Sequence, residues 1–577
     1  MNKDSICDQS ATDRIRVSHT IALALLVFAA AGRADMPLLD ALADARSIGP
    51  RTEPVDLAAY QRIVYVSSTA QAAADGSRQR PFASVQAAID ACKDATATSR
   101  CAVLVASGKY SPAAIQMREF VDLFGGFDDR WQRDIAANLT VLDAAGGGPV
   151  VRAANHARID GFVITGGRNS GAGGGFLADH VSPVISNNII RANTTVEPDD
   201  FRRDMIHQQG HDGGGIALLA ECAAEVRNNL ICQNTTGIGN GGGIFIWNDS
   251  RPKITANVII DNHTGRAGQE GKEGSRSSNG GGIAVSYNCA PQITANLIAM
   301  NSVADNSDGG GIYLEYDAHA VIRGNWILGN FAADDGGGMY VMKNSQPLLE
   351  RNVLAGNRNS SGGSGAIRLS KEGRLRAVNN LIVCNKTGMD AVHSWMILER
   401  NTFVDCITCA FVYENALQHM APPIVSNNIF AGQMDVPAVL KPGPVSPRME
   451  GNVVAGQASS QPDAASPAAD LQFIDDQLIA PIARRFVDQA NCLTVLTLRD
   501  VDARVQAGSL VGRVINVGQQ WSVIREHRRS PAADGAVHEL SVWGNLTDAA
   551  GECRVLGTYQ LPPSSVYRDK GAYAISD

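Results

Sequence analysis

Short runs of β-branched and aliphatic residues recur through the middle of the chain, each after a glycine cluster. One copy reads GGGIFIW at residues 241–247 and continues as PKITANVIIDN at residues 252–262. The runs are bounded by turn residues, and no 3.6-residue apolar period connects them. The pattern therefore predicts short β-strands that are separated by tight turns.

Pairs of asparagines five residues apart accompany these runs in seven consecutive copies. The first members are Asn188, Asn229, Asn257, Asn296, Asn325, Asn352 and Asn380, and this column continues through Asn401, Asn428 and Asn452. The second members are Asn193, Asn234, Asn262, Asn301, Asn330, Asn357 and Asn385. A constant phase is typical of one structural unit repeated along an axis, and asparagine can hydrogen-bond along a stack of identical turns. We therefore predict two asparagine columns that stabilise turns and carry no chemistry.

The apolar residues that follow each glycine cluster are expected to form the interior of this stack. They are Ile216 and Leu218, Ile244 and Ile246, Ile283 and Val285, Ile312 and Leu314, Met339 and Val341, and Ile367 and Leu369. Coils of three short strands that each pack only on their neighbours make a solenoid. The sequence thus predicts an all-β protein, a right-handed parallel β-helix, whose repeats occupy residues 136–457.

The two ends of such a solenoid need caps, because they would otherwise expose strand edges and apolar core. At the N-terminal end, Phe82, Val85, Ala88 and Ile89 form an amphipathic stripe after Pro81, which predicts a capping helix. We assign residues 59–135 to this cap and the first coils. Residues 458–467 have linker composition, and residues 468–577 alternate like strands and predict a β-rich C-terminal cap.

Several stretches in these regions resemble secreted bacterial β-helix proteins of the pectate-lyase-like superfamily. They are YVS at residues 65–67, PFASVQAAI at 81–89, VASGKY at 105–110, FGGF at 124–127, IDGFVITGG at 159–167 and DKGAY at 569–573. The resemblance spans roughly residues 60–577. It is specific for the fold and says little of the reaction, because one fold hosts many functions.

The N-terminus has the features of an export signal. An apolar run at residues 21–31 follows Arg14 and Arg16, and Ala34 closes a small-residue cleavage site. We predict a signal peptide over residues 1–34, with an ordinary buried helix as the alternative, and a linker over residues 35–58. The expected location is secreted, periplasmic or cell-surface, and no other segment is a transmembrane candidate.

Charge and composition narrow the partners. The net charge is −8 and no basic stripe is visible, so nucleic acid is not expected as a ligand. No pattern indicates oligomerisation, and we expect a monomer.

The cysteines are even in number once Cys7 leaves with the predicted signal. We expect Cys92 to pair with Cys101, Cys492 with Cys553, and Cys384 with Cys406. Cys222 and Cys289 share one column but lie two coils apart. That separation is about 9.6 Å, beyond the ~7 Å reach of a disulfide, so we predict that they do not pair.

The outward side chains that follow the glycine clusters are the first candidate site. Trp247, Tyr313 and Tyr340, with His393 on a later coil, are expected to bind sugar rings of a polysaccharide or cell-surface glycan. Glu315 and Asp317 are two residues apart and are expected to point outward from one strand.

Two chemical roles are open for these carboxylates. With Asn288 from the preceding coil they would offer oxygen ligands to Ca²⁺. They would equally serve as a general acid and base. Lys343 and Arg368 on the following coils would neutralise a uronate or remove a proton from it.

This set of residue types is similar to that of β-helix lyases of the chondroitinase B and alginate lyase type. The resemblance implies a Ca²⁺ site at Asn288, Glu315 and Asp317, a base at Lys343 and an arginine at Arg368. The spacings of the lysine and arginine differ from those of that family.

A second candidate is the column of residues that precedes each glycine cluster. Its members are Asp212, Asn240, Asn279, Asp308 and Asp335. We expect them to stack and cap turns, with a cation between Asp308 and Asp335 as the alternative. Two charged insertions, residues 194–212 and 263–279, break the repeat spacing. They are expected to form a charged wall beside the outward side chains of the first candidate site.

Our leading hypothesis is a secreted polysaccharide lyase that cleaves an acidic, uronate-containing polysaccharide by β-elimination, with Lys343, Arg368 and Glu315 as catalytic residues. The alternatives are a non-catalytic glycan-binding surface or adhesion protein and a glycoside hydrolase.

Overall fold

The computed structural model describes most of the chain from residue 44 onward. The described residues are 44–70, 73–112, 114–196, 211–265, 278–304, 306–360, 364–415, 421–433, 435–441, 444–455, 465–467, 471, 476–499, 501–502, 504–532, 535–561, 564–567 and 570–572. The predicted signal peptide lies outside them, as do most of the two insertions and of the linker at 458–467.

The protein is a right-handed parallel β-helix, as predicted. Each coil contributes one strand to each of three long parallel sheets, which we call the first, second and third faces in the order in which a repeat meets them after its glycine cluster. The first face consists of Ile115–Gln116, Val151–Arg152, Phe176–Asp179, Ile216–Leu219, Ile244–Trp247, Ile283–Ser286, Ile312–Glu315, Met339–Val341, Ile367–Leu369, Met389–Val392, Cys409–Glu414 and Val436–Leu440. The second face consists of Arg62–Val66, Cys101–Ala106, Val121–Phe127, Arg158–Asp160, Val184–Ser186, Glu225–Arg227, Lys253–Thr255, Gln292–Thr294, Val321–Arg323, Leu348–Glu350, Arg374–Val378, Trp395–Glu399, Ile424–Ser426 and Arg448–Glu450.

The third face completes each coil. It consists of Gly108–Tyr110, Thr140–Asp143, Val163–Thr165, Ile189–Arg191, Leu230–Cys232, Val258–Ile260, Leu297–Ala299, Trp326–Leu328, Val353–Ala355, Leu381–Val383, Thr402–Val404, Ile429–Ala431, Asn452–Val454 and Ala465–Pro467. A fourth, narrow sheet follows it, made of the two-residue strands Arg168–Asn169, Thr194–Thr195, Thr235–Thr236, His263–Thr264, Ser302–Val303, Phe331–Ala332 and Arg358–Asn359.

The predicted interior and both asparagine columns are confirmed. The twelve predicted interior residues, from Ile216 to Leu369, are fully buried in one continuous core. In the first asparagine column, the backbone N–H of Asn257 donates to Asn296 Oδ1 at 2.9 Å and its Nδ2 donates to the carbonyl of Val226 at 2.8 Å. The same pattern runs from Asn188 to Asn452 and, in the second column, from Asn193 to Asn385. These amides satisfy buried backbone groups at the turns, which explains their fixed spacing.

The N-terminal cap contains the α-helix α1, Val85–Ala91, and a 3₁₀ turn at Leu57–Ala59. Ser84 caps α1 by accepting the N–H of Ala87, and its buried residues Val85, Ala88 and Ile89 close the end of the apolar core. No helix in the described part of the chain is long and apolar enough to cross a membrane.

The described part of the segment expected to be a linker, residues 44–58, packs where the second and third faces meet. Ala45 and Ile48 are buried, and the carbonyl of Ser47 accepts a hydrogen bond from Asn228 Nδ2 at 2.9 Å. Glu53 pairs with Arg227 at 3.0 Å. The sequence of this segment has no repeat, so these partners are visible only in the fold.

Six antiparallel strands after the β-helix close into a small barrel: Leu478–Asp488, Leu493–Leu498, Val514–Val517, Gln520–Ala532, Gly535–Trp543 and Glu552–Val555. The barrel packs against the third face through a shared apolar cluster that includes Leu230, Val258, Trp326, Val523 and Trp543.

Two glycines of the third face make room for one barrel side chain, Trp521. A Cβ on Gly329 would come within 2.9 Å of Trp521, and one on Gly356 within 2.2 Å. After the barrel, the N–H groups of Gly571 and Ala572 donate to the Asn427 carbonyl and to Thr402 Oγ1, which returns the chain to the β-helix.

The cysteines follow the predictions only in part. Cys92 and Cys101 form a disulfide, as expected. Cys222 and Cys289 are free, and Ser250 lies between them in the stack.

The other two expected pairs are wrong. Cys406 belongs to the interior core, whereas Cys384, which follows the strand Leu381–Val383, packs on the cluster beneath the barrel. Cys553 lies inside the barrel and Cys492 lies in the junction with the β-helix. In both cases the two side chains pack in different apolar clusters, and all four cysteines are free.

Candidate functional site

The sequence-predicted site residues lie on the first face or in the turns that follow its strands. The barrel covers the third face, and residues 44–58 pack where the second and third faces meet. On the first face, two rows of outward side chains run along the axis. The strand register aligns Phe245, Ala284, Tyr313, Tyr340, Arg368 and Asp390 in one row. The other row contains Trp247, Ser286 and Glu315.

After each first-face strand from Ile216–Leu219 to Ile367–Leu369, the turn contains two residues in the left-handed conformation. After Glu315 these are Tyr316 and Asp317, with φ of 51° and 59°. The equivalent pairs are Tyr287 with Asn288 and Lys343 with Asn344. Asn288, Asp317 and Lys343 therefore occupy turns, and the expectation that Asp317 extends the strand of Glu315 is wrong, because the strand ends at Glu315.

Tyr287, Tyr316 and Lys343, the first residues of three of these turns, stack at the edge of the first face with Trp247, the last residue of the strand Ile244–Trp247. We call these four residues the tyrosine–lysine column. The rings of Tyr287 and Tyr316 are 4.6 Å apart and nearly parallel at 19°. Trp247 meets Tyr287 edge-on at 6.2 Å, and Lys343 Nζ lies 3.8 Å from the centre of the Tyr316 ring. Tyr287 and Tyr316 are 42% and 37% exposed.

Sequence analysis named Trp247 and Lys343 in this column but missed both tyrosines. Tyr287 and Tyr316 directly follow the last strand residue in two consecutive copies, and this shared phase was the available signal.

Tyr313 and Tyr340, which were expected to stack on sugars, are covered. They are 4% and 5% exposed and pack with Phe245, Ala284 and Met342. The hydroxyl of Tyr313 donates to Glu315 Oε2 at 3.1 Å, and that of Tyr340 bonds Ser370 Oγ at 2.7 Å. Both side chains point away from the interior as predicted, but their rings lie beneath neighbouring residues. They serve to position the polar groups above them.

Glu315 is held by three neighbours. Its carboxylate accepts from Lys343 Nζ at 2.9 Å, from Tyr313 and from Ser286 Oγ at 3.2 Å. Partial burial by itself lowers the pKa of Lys343, but the contacts with Tyr316 and Glu315 outweigh it and raise this pKa. Lys343 is therefore protonated at neutral pH, and an ammonium group cannot act as a base.

Arg368 is not brought to Lys343 and Glu315, but joins two other carboxylates. It contacts Asp390 in the next coil, and its Nε lies 3.3 Å from Asp335 Oδ2. Burial by itself lowers the pKa of Arg368. The negative charges of Asp390 and Asp335 outweigh this effect and raise the pKa. The guanidinium is thus neutralised by the protein itself.

The column before the glycine clusters caps turns, as predicted. The backbone N–H of Asn279 donates to Asn240 Oδ1 at 2.8 Å, that of Asp308 to Asn279 Oδ1 at 2.9 Å, and that of Asp335 to Asp308 Oδ1 at 3.1 Å. Asp212 accepts the N–H of Asn240 in the same way.

Carboxylates converge at the C-terminal end of this column. Oxygens of Asp308, Asp334 and Asp335 lie within 4.8 Å of one another. Burial raises the pKa of Asp308 to about 7. The negative charges of Asp334 and Asp335 raise this pKa further, whereas the hydrogen bond from Asp335 N–H lowers it. Asp334, which sequence analysis did not single out, brings the third carboxylate because it immediately precedes the column position.

The residues expected to hold Ca²⁺ do not fit that role. Glu315 is neutralised by Lys343, Asn288 Nδ2 donates to Asp249, and Asp317 lies in an exposed turn. A calcium ion would need these oxygens to leave their present partners. Calcium binding stays a prediction, which calcium titration of the protein would test.

His393 lies in the same left-handed turn position as Lys343, with φ of 49°, on a later coil. It is near Glu414, whose pKa is lowered by Lys441 first and also by His393. The turn at Lys371 and Glu372 lies between Lys343 and His393 in the stack, so His393 is not part of the tyrosine–lysine column.

These features define the class as a right-handed parallel β-helix with a partly exposed aromatic and charged edge. Residues 240–403 match a family model described as "Right handed beta helix region". No curated protein sequence matches the chain.

Three solved structures are similar to the chain at low identity. The complex of XylC with xylose is 10% identical, covers 76% of this chain and 89% of its own, and has a TM-score of 0.32. A rhamnogalacturonan lyase is 13% identical over 75% of this chain and 92% of its own, with a TM-score of 0.26. A mutant tailspike protein of E. coli bacteriophage HK620 is 11% identical. The match covers 82% of this chain and 88% of the tailspike chain, with a TM-score of 0.22. Such low TM-scores carry no information on the reaction.

Proposed function

We propose that the protein binds a polysaccharide along the edge of its first face, with the tyrosine–lysine column as the contact surface. The observation that carries this is the stacked, solvent-exposed pair Tyr287 and Tyr316 on consecutive coils. Tyrosine combines an apolar ring with a hydroxyl and loses little conformational entropy when it binds. Sugars match this, because they present both C–H surfaces and hydroxyl groups.

The arrangement favours an elongated ligand. Neighbouring coils of a parallel sheet are about 4.8 Å apart, so the column follows the axis of the β-helix. Ser286, Glu315 and Lys343 add hydrogen-bonding groups beside it. Lys343 and Arg368 are each already paired with a carboxylate, so neither adds surplus positive charge that would select an acidic polymer.

Binding can be tested with the double variant Tyr287→Ala/Tyr316→Ala. We expect the wild type to be retarded in native gels that contain a polysaccharide, and the variant to lose at least about tenfold in affinity for the same polymer. Phe486→Ala is the matched control, since Phe486 is 62% exposed but lies on the barrel. Equal binding by wild type and double variant would overturn the proposal.

Hydrolysis is the second candidate, favoured by the carboxylates around Asp308. A carboxylic acid that is half-protonated near pH 7 beside two further carboxyl groups has the properties of a general acid. Asp308 would protonate the leaving oxygen, and Asp335 or Asp334 would act as the base or nucleophile. Release of reducing ends that is lost in Asp308→Asn but kept in Asp317→Asn would support it.

The β-elimination hypothesis remains open to one direct assay. With Lys343 as its base, β-elimination requires the deprotonated amine, and the raised pKa of Lys343 disfavours that role. A lyase produces an unsaturated uronide, so incubation with alginate, pectate or glycosaminoglycans, with and without Ca²⁺, would increase ultraviolet absorbance. Reducing ends without this chromophore would distinguish hydrolysis.

A further inference from the structure

We propose that Cys232 and Cys492 form a disulfide bond that fastens the C-terminal barrel to the third face of the β-helix. The bond would join two parts of the chain that the fold brings together from 260 residues apart in sequence. It is independent of the polysaccharide proposal, since neither cysteine lies on the first face.

Cys232 faces the barrel. It ends the strand Leu230–Cys232, and the alternation of this strand directs Ile231 into the interior core while Leu230 and Cys232 pack beneath the barrel. Its relative exposure is 1%.

Cys492 approaches from the barrel side. It directly precedes the barrel strand Leu493–Leu498, is fully buried, and its carbonyl accepts the N–H of Gly544 at 2.6 Å. Both cysteines belong to the same apolar cluster at the junction.

A hydrogen bond outside the cluster fixes their relative position. Arg191 is the strand neighbour of Cys232, and its Nη1 donates to the carbonyl of Ala490 at 2.7 Å. The chain two residues before Cys492 is therefore held beside the coil that carries Cys232. Both cysteines are free thiols in this structure, and the neighbouring Cys492 thiol, together with burial, raises the pKa of Cys232.

The chemistry requires only an ordinary disulfide oxidant. Each sulfur gives up its proton, one S–S bond forms, and the two electrons reduce a disulfide such as oxidised glutathione to two thiols. Cys92 and Cys101 are already joined, and conditions that sustain that bond would also sustain this one. Because both thiols are buried, we expect the bond to form during folding, before the junction closes.

Peptide mapping gives the direct test. The full chain is refolded with oxidised and reduced glutathione, free thiols are alkylated, and the protein is digested without reduction. We expect a linked peptide that contains Cys232 and Cys492 and disappears on reduction. Alkylation of both cysteines in the oxidised wild type, or their linkage to other cysteines, would overturn the proposal.

Thermal unfolding gives a second readout. Oxidised wild type should unfold at least about 5 °C above the reduced protein, because the bond closes a long loop. Cys492→Ser should lose this difference except for the part that Cys92–Cys101 contributes. Cys384→Ser, at the same junction, should keep it. Equal redox shifts in wild type and Cys492→Ser would contradict the bond even if peptide mapping were incomplete.

Discussion

The ammonium group of Lys343 lies 3.8 Å from the centre of the Tyr316 ring and 2.9 Å from the carboxylate of Glu315. One residue thus joins the aromatic and the acidic parts of the candidate surface. A cation over an aromatic ring contributes roughly 0.5–1 kcal/mol at an exposed site.

We expect Lys343→Met to lower the free energy of unfolding by about 1 kcal/mol, because Glu315 loses its cation and Tyr316 its ring contact. Lys343→Arg should keep most of the wild-type free energy of unfolding, because arginine retains the positive charge. Denaturant unfolding of Lys343→Met, Tyr316→Leu and the double variant measures the coupling. Strict additivity of the two single changes would show that the contact contributes nothing.

Replacing a central ladder asparagine should cost far more than a surface change. Asn296→Ala removes the acceptor for Asn257 N–H and Nδ2 and the donor to the Ile254 carbonyl. Since these groups would be left buried without partners, we expect a loss of about 3 kcal/mol or more. Gln292→Ala, on an exposed position of the preceding strand, should change stability by less than about 0.5 kcal/mol. Similar losses in both variants would refute the role of the ladder.

Asp308→Asn should stabilise the protein above neutral pH. The pKa of Asp308 is raised from 3.8 to about 7, so the folded state binds more protons and stability falls as the pH rises from 3.8 through 7. Asparagine avoids this loss and still accepts the N–H of Asp335, as Asn279 does for Asp308. We expect a gain of about 1–2 kcal/mol at pH 8 and none at pH 3.5, measured by urea unfolding. A gain of equal size at both pH values would contradict the assigned titration.

A buried histidine pair makes the barrel sensitive to acid. His527 Nε2 lies 2.9 Å from His538 Nδ1, while His527 Nδ1 accepts the N–H of Leu510. Both neutral rings must therefore carry their proton on Nε2. A second proton on either ring would occupy the Nδ1 atom that now accepts a hydrogen bond.

Burial, with the neighbouring His538, lowers the pKa of His527 to about 4 from 6.5. The unfolded state therefore binds more protons between these values, and barrel stability should fall by about 2 kcal/mol as the pH drops from 6.5 to 4. Trp521 and Trp543 fluorescence during urea unfolding would follow the barrel. His527→Gln should flatten this dependence, and an unchanged slope would count against the pair.

The repeat made most of the scaffold predictable. A five-residue asparagine spacing fixed the register of every coil, because a one-residue slip would turn all interior side chains outward. The interior residues from Ile216 to Leu369, both asparagine columns and the capping column from Asp212 to Asp335 are confirmed. Alternation could not predict where a strand stops, and Asp317 was therefore assigned to the strand that ends at Glu315.

The sequence by itself determined the β-helix, its interior and its ladders, since these depend on local periodicity that each coil repeats. Only the tertiary structure decided which outward groups meet solvent and which meet each other. Tyr313 and Tyr340 point outward yet are covered, whereas Tyr287 and Tyr316 are exposed because they occupy left-handed turns. Cys492 lies beside Cys232 rather than Cys553 because the barrel docks on the third face. Such contacts join residues far apart in sequence, and no local pattern encodes them.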